Sequence, residues 1–242
     1  MPAPRSAWTS PDTVAGFVRS APNPVLMRFA AGELARVPHG VAVDIGCGAA
    51  RNAAPLVQAG WRVVGTDLSW PMLAAGVERV RGESPGGRVV LAQAAMEAIP
   101  MADRSADLVI AHGIWNLAGS SGQFRRAVAE AARVARPGAA LFVFTFSRGT
   151  LPDAAAPVDG ESFVFTQFSG EPQIFLTAAE LVREMADAGF DPDPAVPLTE
   201  YNRPAANALR TGGPVIYEAA FRRRVPPPRR WLRVLRALRA RC

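Results

Sequence analysis

The residues of this chain best suited to chemistry fall between positions 44 and 67. Asp44 lies near the end of an apolar run, VAVDI, and Gly46, Cys47, Gly48 and then Arg51 follow it directly. Glycines let a backbone turn sharply and come close to a ligand. Amide groups at the start of the next helix favour a carboxylate or phosphate. A dinucleotide fingerprint would read G-x-G-x-x-G, but here the stretch is D-I-G-C-G-A-A-R-N, with the acid ahead of the glycines. An acid at that place repels a pyrophosphate and attracts an ammonium group, so the two features together suit an amino-acid zwitterion. Asp67 ends a second apolar run, RVVGTD, and a carboxylate there accepts both hydroxyls of a ribose. The two acids point to a nucleoside that carries an amino acid.

The elements that hold these residues follow from the pattern around them. Residues 10–36 read as two helices, the first opened by Ser10-Pro11-Asp12 and separated from the second by the SAPNP break at 20–24. Strand and helix then alternate. Strands are expected at 41–45, 62–67, 88–93, 106–112 and 139–147, with helices at 51–60, 69–80 and 122–135 between them. Repeats of this length predict a parallel sheet covered on both faces, in which ligands bind beyond the carboxyl ends of the strands. The segment 148–176 is rich in Pro, Gly and aromatic residues and reads as an insertion. A further helix starts at Thr177, with Glu180 completing a capping box and Gly189 as the stop. LTEYNR (198–203) and PVIYEAAFRR (214–223) read as a closing antiparallel pair.

The chain has 242 residues, enough for one α/β domain with a core, and 49% hydrophobic with 20% charged residues is the balance of a globular protein. No apolar run is long enough to span a membrane, and MPAPRSAWTSPD lacks the apolar centre of a signal peptide. The two cysteines, Cys47 and Cys242, make no disulfide framework, so a reducing cytoplasm is expected. All 27 basic residues are arginine. Nine of them lie in 221–242, where there is no acid, and the remainder of the chain carries 18 arginines against 21 acids. The basic balance therefore belongs to the tail. The absence of lysine reads as a mark of a GC-rich coding sequence.

With these motifs in order, the chain resembles the class I S-adenosylmethionine-dependent methyltransferases of small-molecule type. VAVDIGCGAARN is similar to their first motif and RVVGTDLSWPML to the segment after it. AAMEAIPMADRSADLVIAHGIWNL resembles their acidic segment and following strand, and RVARPGAALFVF their Lys-Pro-Gly-Gly strand. The resemblance implies a doubly wound, mostly parallel seven-stranded sheet with an antiparallel C-terminal strand. It implies S-adenosyl-L-methionine as cofactor and S-adenosyl-L-homocysteine as product. It divides the chain into an N-terminal helical lid (1–40), a cofactor-binding core (41–147), an acceptor lid (148–176), the C-terminal part of the core (177–223) and the Arg-rich tail (224–242). Gly46 and Gly48 are expected to pass the methionine part, with Asp44 beneath it. Asp67 is expected to hold the ribose and Leu68 and Met72 to flank the adenine. Ala95 and Met96 are expected at the adenine edge, and Ala111 and His112 beside the sulfonium. Cys47 is expected among the cofactor-binding residues of the turn, packing there as a small residue, and Arg51 is expected to pair with the cofactor carboxylate or with a nearby acid. Two departures stand out: Ala50 replaces a third glycine, and Ala95 replaces the aspartate that often accepts from the adenine amino group.

His112 is the candidate general base, with pocket lining or packing as the alternative; His39 lies at the wrong end of the first strand. Trp115, Asn116, Gln173, Tyr201 and Asn202 are candidate acceptor contacts. With two histidines, two cysteines and no acidic cluster, no metal is expected. In the tail, Trp231, Val234, Leu235 and Leu238 share one helical face among arginines. That pattern suits an anionic membrane surface or a partner, docking on the chain's own domain, or a largely disordered end. The expected function is methyl transfer to an O, N, S or C nucleophile of a small molecule. The alternatives are a nucleic-acid methyltransferase anchored by the tail, against which the slightly acidic body argues, and a non-catalytic cofactor-binding module.

Overall fold

A computed structural model describes residues 7–84, 86, 88–203 and 213–226. The proposed amphipathic face of the tail lies outside these residues. Helices α1 (Pro11–Arg19) and α2 (Pro24–Arg36) come first. They are followed by β1 (Val41–Ile45), α3 (Ala53–Ala59), β2 (Arg62–Asp67), α4 (Trp70–Glu83), β3 (Val89–Gln93), β4 (Ala106–His112), α5 (Ser121–Val134) and β5 (Ala135–Phe146). A small hairpin, β6 (Val164–Phe165) and β7 (Gln173–Ile174), precedes α6 (Ala178–Asp187), β8 (Phe190–Pro192), β9 (Thr199–Tyr201) and β10 (Ile216–Arg223).

The main sheet runs β3-β2-β1-β4-β5-β10, parallel through β5 and antiparallel at β10. The seventh place across it is shared: β8 pairs with residues 221–223 of β10 and β9 with residues 216–218. The sheet thus has eight strands where seven were expected, because a last strand of two short pieces covers one edge. β5 also begins at Ala135, four residues before the expected start, since the Arg-Pro-Gly stretch joins the ladder across an irregularity between Ala106 and Leu108.

Local chemistry accounts for the element ends. Ser10, Asn23, Ser69 and Ser120 cap helices with side-chain oxygens, each accepting a backbone N–H of the first turn. Thr177 and Glu180 form the full capping box of α6. Two apolar layers hold the sheet. On one face Leu26, Phe29, Leu56 and Trp61 pack on Leu108, Ile110 and Phe142. On the other, Phe124, Phe163, Phe175 and Met185 pack on Val109, Leu141 and Val143. None of the helices among the described residues is long and apolar enough to cross a membrane.

The register sets up the site. Ile45 lies beside Thr66 of β2 and Ala111 of β4, so the next residues, Gly46, Asp67 and His112, emerge together at the carboxyl ends. Gly65 makes this approach possible: a methyl group there would lie 2.6 Å from Leu91 Cδ2 and 2.9 Å from Cys47 Sγ. Gly65→Ala is expected to destabilise the fold by about 1–3 kcal/mol through overpacking. A lowered urea midpoint is the check, and an unchanged midpoint contradicts the packing argument.

Candidate functional site

Asp44 sits on β1 at 1% exposure, and its Oδ2 has no hydrogen-bond partner. Burial raises its pKa to about 7; the Arg51 cation opposes this and the Asp67 charge adds to it. Such a carboxyl is largely protonated below pH 7, and a cation brought against it favours its charged form.

The turn after β1 carries Gly46 at φ +68° and Gly48 at φ +53°. A side chain at Gly46 would meet Ile114 at 2.7 Å, so both conformation and space require glycine there. Ala50 is left-handed too, at φ +56°, and carries a strain of roughly 1 kcal/mol that a third glycine would avoid. The Gly48 N–H donates to Asp67 Oδ2 at 2.9 Å and the Ser69 N–H to Asp67 Oδ1 at 2.8 Å. Asp67 is therefore aimed by backbone groups on either side of it, and each oxygen keeps a lone pair for a further donor.

Cys47, expected among the cofactor-binding residues, is a correction: its polar groups are engaged within the turn and its side chain packs. Its N–H donates to the Thr66 carbonyl, its own carbonyl accepts from Ala50, and its side chain is buried against Gly65. Burial, then the charges of Asp44 and Asp67, push its thiol pKa well up, which keeps it protonated and unreactive.

Arg51 extends from the turn with its guanidinium 6.0 Å from the Phe17 ring centroid and Nη2 3.0 Å from His112 Nδ1. It makes no direct ion pair among the described residues. His112 stacks on Phe144 with ring centroids 4.1 Å apart, and its Nε2 is 3.1 Å from Asn23 Nδ2. Burial, then the Arg51 cation, lower its pKa to about 3. The expected role of His112 as general base does not suit this setting: both ring nitrogens face N–H donors, and a proton gained there would stand buried beside a guanidinium.

Among the adenine-side residues, Leu68 is 67% exposed, while Met72 is buried beneath the turn. The Ala94 N–H donates to the Asp67 carbonyl and so fixes the loop of Ala95 and Met96 to β2. Met96 is buried in the core, and the Ala95 carbonyl already accepts from Ala98. Ala111 is buried in the sheet directly before His112.

The acceptor candidates divide. Trp115 is a correction: it is 1% exposed and packs edge-on to Phe124 in the core, which leaves no surface for a ligand. Asn116 is buried beside it with Oδ1 unpartnered. Gln173 lies on the hairpin and accepts from Ser169. Asn202, at φ +61°, is another correction, for its side chain donates to the Pro214 carbonyl and closes a loop. Tyr201 stands near Glu218, and burial, then the Glu218 charge, raise its pKa.

Three residues that sequence reasoning missed complete the site. Phe17 of α1 would touch a methyl group on Gly48 at 3.4 Å, so α1 covers the glycine turn. Glu218 is buried on β10 in register with Phe144. Asn23 donates to Glu218 Oε1 at 2.7 Å and lies 3.1 Å from His112 Nε2, bridging the two across Phe144. A lone acid within the apolar run PVIYEAAF was the signal available for Glu218, and the Asn-Pro helix start the one for Asn23.

Comparison with known proteins agrees with this geometry. Residues 43–143 match the family model described as a methyltransferase domain. A demethylmenaquinone methyltransferase of Thermobifida fusca is 31% identical over 155 residues, 60% of this chain and 62% of that protein. The chain spans 36% to 66% of the length of the curated relatives it matches, less than two thirds of each. In fold, it is similar to the 1,6-didemethyltoxoflavin-N1-methyltransferase of Burkholderia thailandensis, solved with bound 1,6-didemethyltoxoflavin and S-adenosylhomocysteine (TM-score 0.60, 19% identity, 82% of this chain and 78% of that one). It is equally similar to the [4+2]-cyclase SpnF (TM-score 0.62, 18% identity, 86% and 85%). At these identities the likeness is one of fold.

The buried acid has a consequence for stability. In the unfolded chain Asp44 loses its proton in the ordinary carboxylate range, but in the folded chain only near pH 7. Stability therefore falls as pH rises between those values, by roughly 4 kcal/mol once ionisation is complete. Asp44→Asn is expected to remove that fall, so its stability relative to wild type grows from about pH 4 to about pH 8. Denaturant midpoints across this range check it; a difference that is the same at both ends contradicts it.

Proposed function

We propose, from the match of residues 43–143 to a methyltransferase-domain family and the geometry of the site, that the chain is a class I S-adenosylmethionine-dependent methyltransferase and transfers a methyl group from S-adenosyl-L-methionine to an O, N, S or C nucleophile of a small molecule. The observation that carries this is the buried Asp44 carboxylate with an unpartnered oxygen at the end of β1, set against the unpaired Arg51 guanidinium across the same turn. An ammonium group answers the first and a carboxylate the second, and only a zwitterionic ligand answers both.

The residues present fit such a cofactor. Asp44 would hold its ammonium and Arg51 its carboxylate. The free lone pairs of Asp67 would take the ribose hydroxyls. Leu68 and Ala95 would border the adenine, without a side-chain acceptor for its amino group, while Met96 packs in the core beneath them. When bound, the cofactor supplies a methyl group on a sulfonium and leaves as S-adenosyl-L-homocysteine. The protein's part is orientation and exclusion of water. Phe17 and α1 cover the glycine turn, and Gly46 and Gly48 bring the backbone close. His112 takes no proton from the acceptor, so the nucleophile is one that needs no base on β4.

The acceptor is proposed to lie over Phe144 and Phe146, under the hairpin that carries Gln173, with Tyr201 at its edge. Phe146, Phe168 and Phe175 pack against one another there, and a flat aromatic acceptor suits that surface, as does the quinone named for the Thermobifida relative. In this proposal 1–40 and 148–176 act as lids on 41–147 and 177–223. In this proposal the protein works in the cytoplasm.

Calorimetry with S-adenosylhomocysteine tests the cofactor half. Each hydrogen bond to a charged group is worth about 1.5–3 kcal/mol, so Asp67→Ala is expected to weaken binding at least about tenfold while the protein remains folded. Equal affinity in the variant, or no binding by wild type, contradicts the proposal.

A further inference from the structure

Five acids are buried among the described residues: Glu33, Asp44, Glu184, Asp193 and Glu218. Arginine answers three of them. Arg36 and Arg222 pair with Glu33, Arg125 gives Glu184 two hydrogen bonds, and Arg222 pairs with Asp193. None of these three belongs to the site. Asp44 and Glu218 have no arginine partner among the described residues, and both border the site. A charge buried without a cation costs stability. In the methyl-transfer proposal the cofactor's ammonium answers Asp44, and Glu218 is left for another ligand.

The sheet sets Glu218 against the proposed acceptor surface. It is 3% exposed on β10 and lies opposite Phe144 in the ladder, so the two side chains share a face. His112 is the partner of Phe144 on its other side. Phe146, Ile216 and Tyr201 are aligned in the same way nearer the strand end. Oε1 of Glu218 accepts from Asn23 Nδ2 at 2.7 Å, and Tyr201 of β9 lies near the carboxylate. A carboxylate takes about four hydrogen bonds. Oε2 receives no N–H among the described residues and is not sealed from solvent, so it keeps lone pairs for a donor.

We propose that Glu218 is an acceptor-binding residue that selects aromatic acceptors presenting an O–H or N–H donor toward β10, and disfavours those presenting an anion or an ether there. This rests on the acceptor lying over Phe144 and Phe146, and it adds the group that orients the ring. The phenylalanine faces take the ring, and the carboxylate takes the donor at its edge in a charge-assisted hydrogen bond. The groups around Glu218 do not duplicate it. Burial, then the Arg51 cation, lower the His112 pKa to about 3, so that ring is neutral near pH 7. Burial, then the Glu218 charge, raise the Tyr201 pKa, so its phenol stays protonated. Arg28 of α2, which acts on Tyr201, and Arg51, beyond His112, are cations.

Two probes separate the chemistries: 4-nitrophenol, which ionises near neutral pH, and 4-nitroanisole, which has the same ring and no O–H. Calorimetry on the full-length protein with S-adenosylhomocysteine saturating, so that Asp44 is already charged, measures both. Below the ionisation of the phenol, wild type is expected to bind 4-nitrophenol at least about tenfold more tightly than 4-nitroanisole. That preference is expected to vanish as pH rises through the ionisation, because the phenolate has no proton to donate and meets the Glu218 charge. At the lower pH, Glu218→Gln is expected to weaken 4-nitrophenol binding at least about tenfold. The same variant is expected to bind 4-nitroanisole and S-adenosylhomocysteine as wild type does, which shows that it is folded. Affinity for 4-nitrophenol that rises with pH, or that is the same in Glu218→Gln, overturns the proposal. Binding of neither aromatic probe, in protein that binds S-adenosylhomocysteine, overturns it together with the proposed acceptor surface. If wild type does not bind S-adenosylhomocysteine, the methyl-transfer proposal fails and this inference falls with it.

Discussion

A carboxyl group removed from water must either stay protonated or be answered by a cation, and Asp44 is placed so that the protein itself does not fully answer it. Oδ2 has no partner, burial lifts its pKa to about 7, and the nearest cation, Arg51, is turned toward His112 and Phe17. The surrounding features follow from that constraint. The left-handed glycines keep side chains out of the space above the acid. The parallel register brings Asp67 and His112 to the same level. Gly65 lets Cys47 and β2 close around the turn. The site is less stable than an apolar end of the sheet would be, in return for affinity toward a particular charge pattern.

Helix α2 links this site to the rest of the molecule. At its start Asn23 reaches Glu218 and His112. Near its other end Glu33, itself buried, accepts two hydrogen bonds from Arg222 on the same strand, at 2.7 and 2.8 Å. Arg222 also bonds Asp193, beside β8. The helix is thus pinned along β10 by polar contacts at both ends, with Leu26 and Phe29 packed between them. Since broken buried pairs of this kind leave an uncompensated group, the position of Asn23 between Glu218 and His112 is well determined.

Much of this was legible in the sequence because it depends on neighbours along the chain. β1, β2 and β4 end where an acid, a glycine or a histidine interrupts a buried run. The cap of α6 was visible as Thr177 and Glu180. What was not legible depends on residues far apart. Asn23 and Glu218 are separated by 195 positions, and no local pattern pairs them. The character of His112 is set by Arg51, Asn23 and Phe144, and a histidine at a strand end looks the same whether its nitrogens are free or engaged. Trp115 followed β4 as a pocket residue would, yet Phe124 takes it into the core. β8 is three residues long and owes its existence to the edge of β10, not to its own FDP sequence.

The central claim, that Asp44 is a buried acid awaiting a ligand's positive charge, is most directly tested by the protons exchanged on binding. Titration of S-adenosylhomocysteine in two buffers of different ionisation enthalpy, at a pH slightly below about 7, measures that number. Net proton release is expected in wild type, approaching one per site toward lower pH, and its loss is expected in Asp44→Asn. Binding without proton release, or the same release in the variant, would contradict that claim.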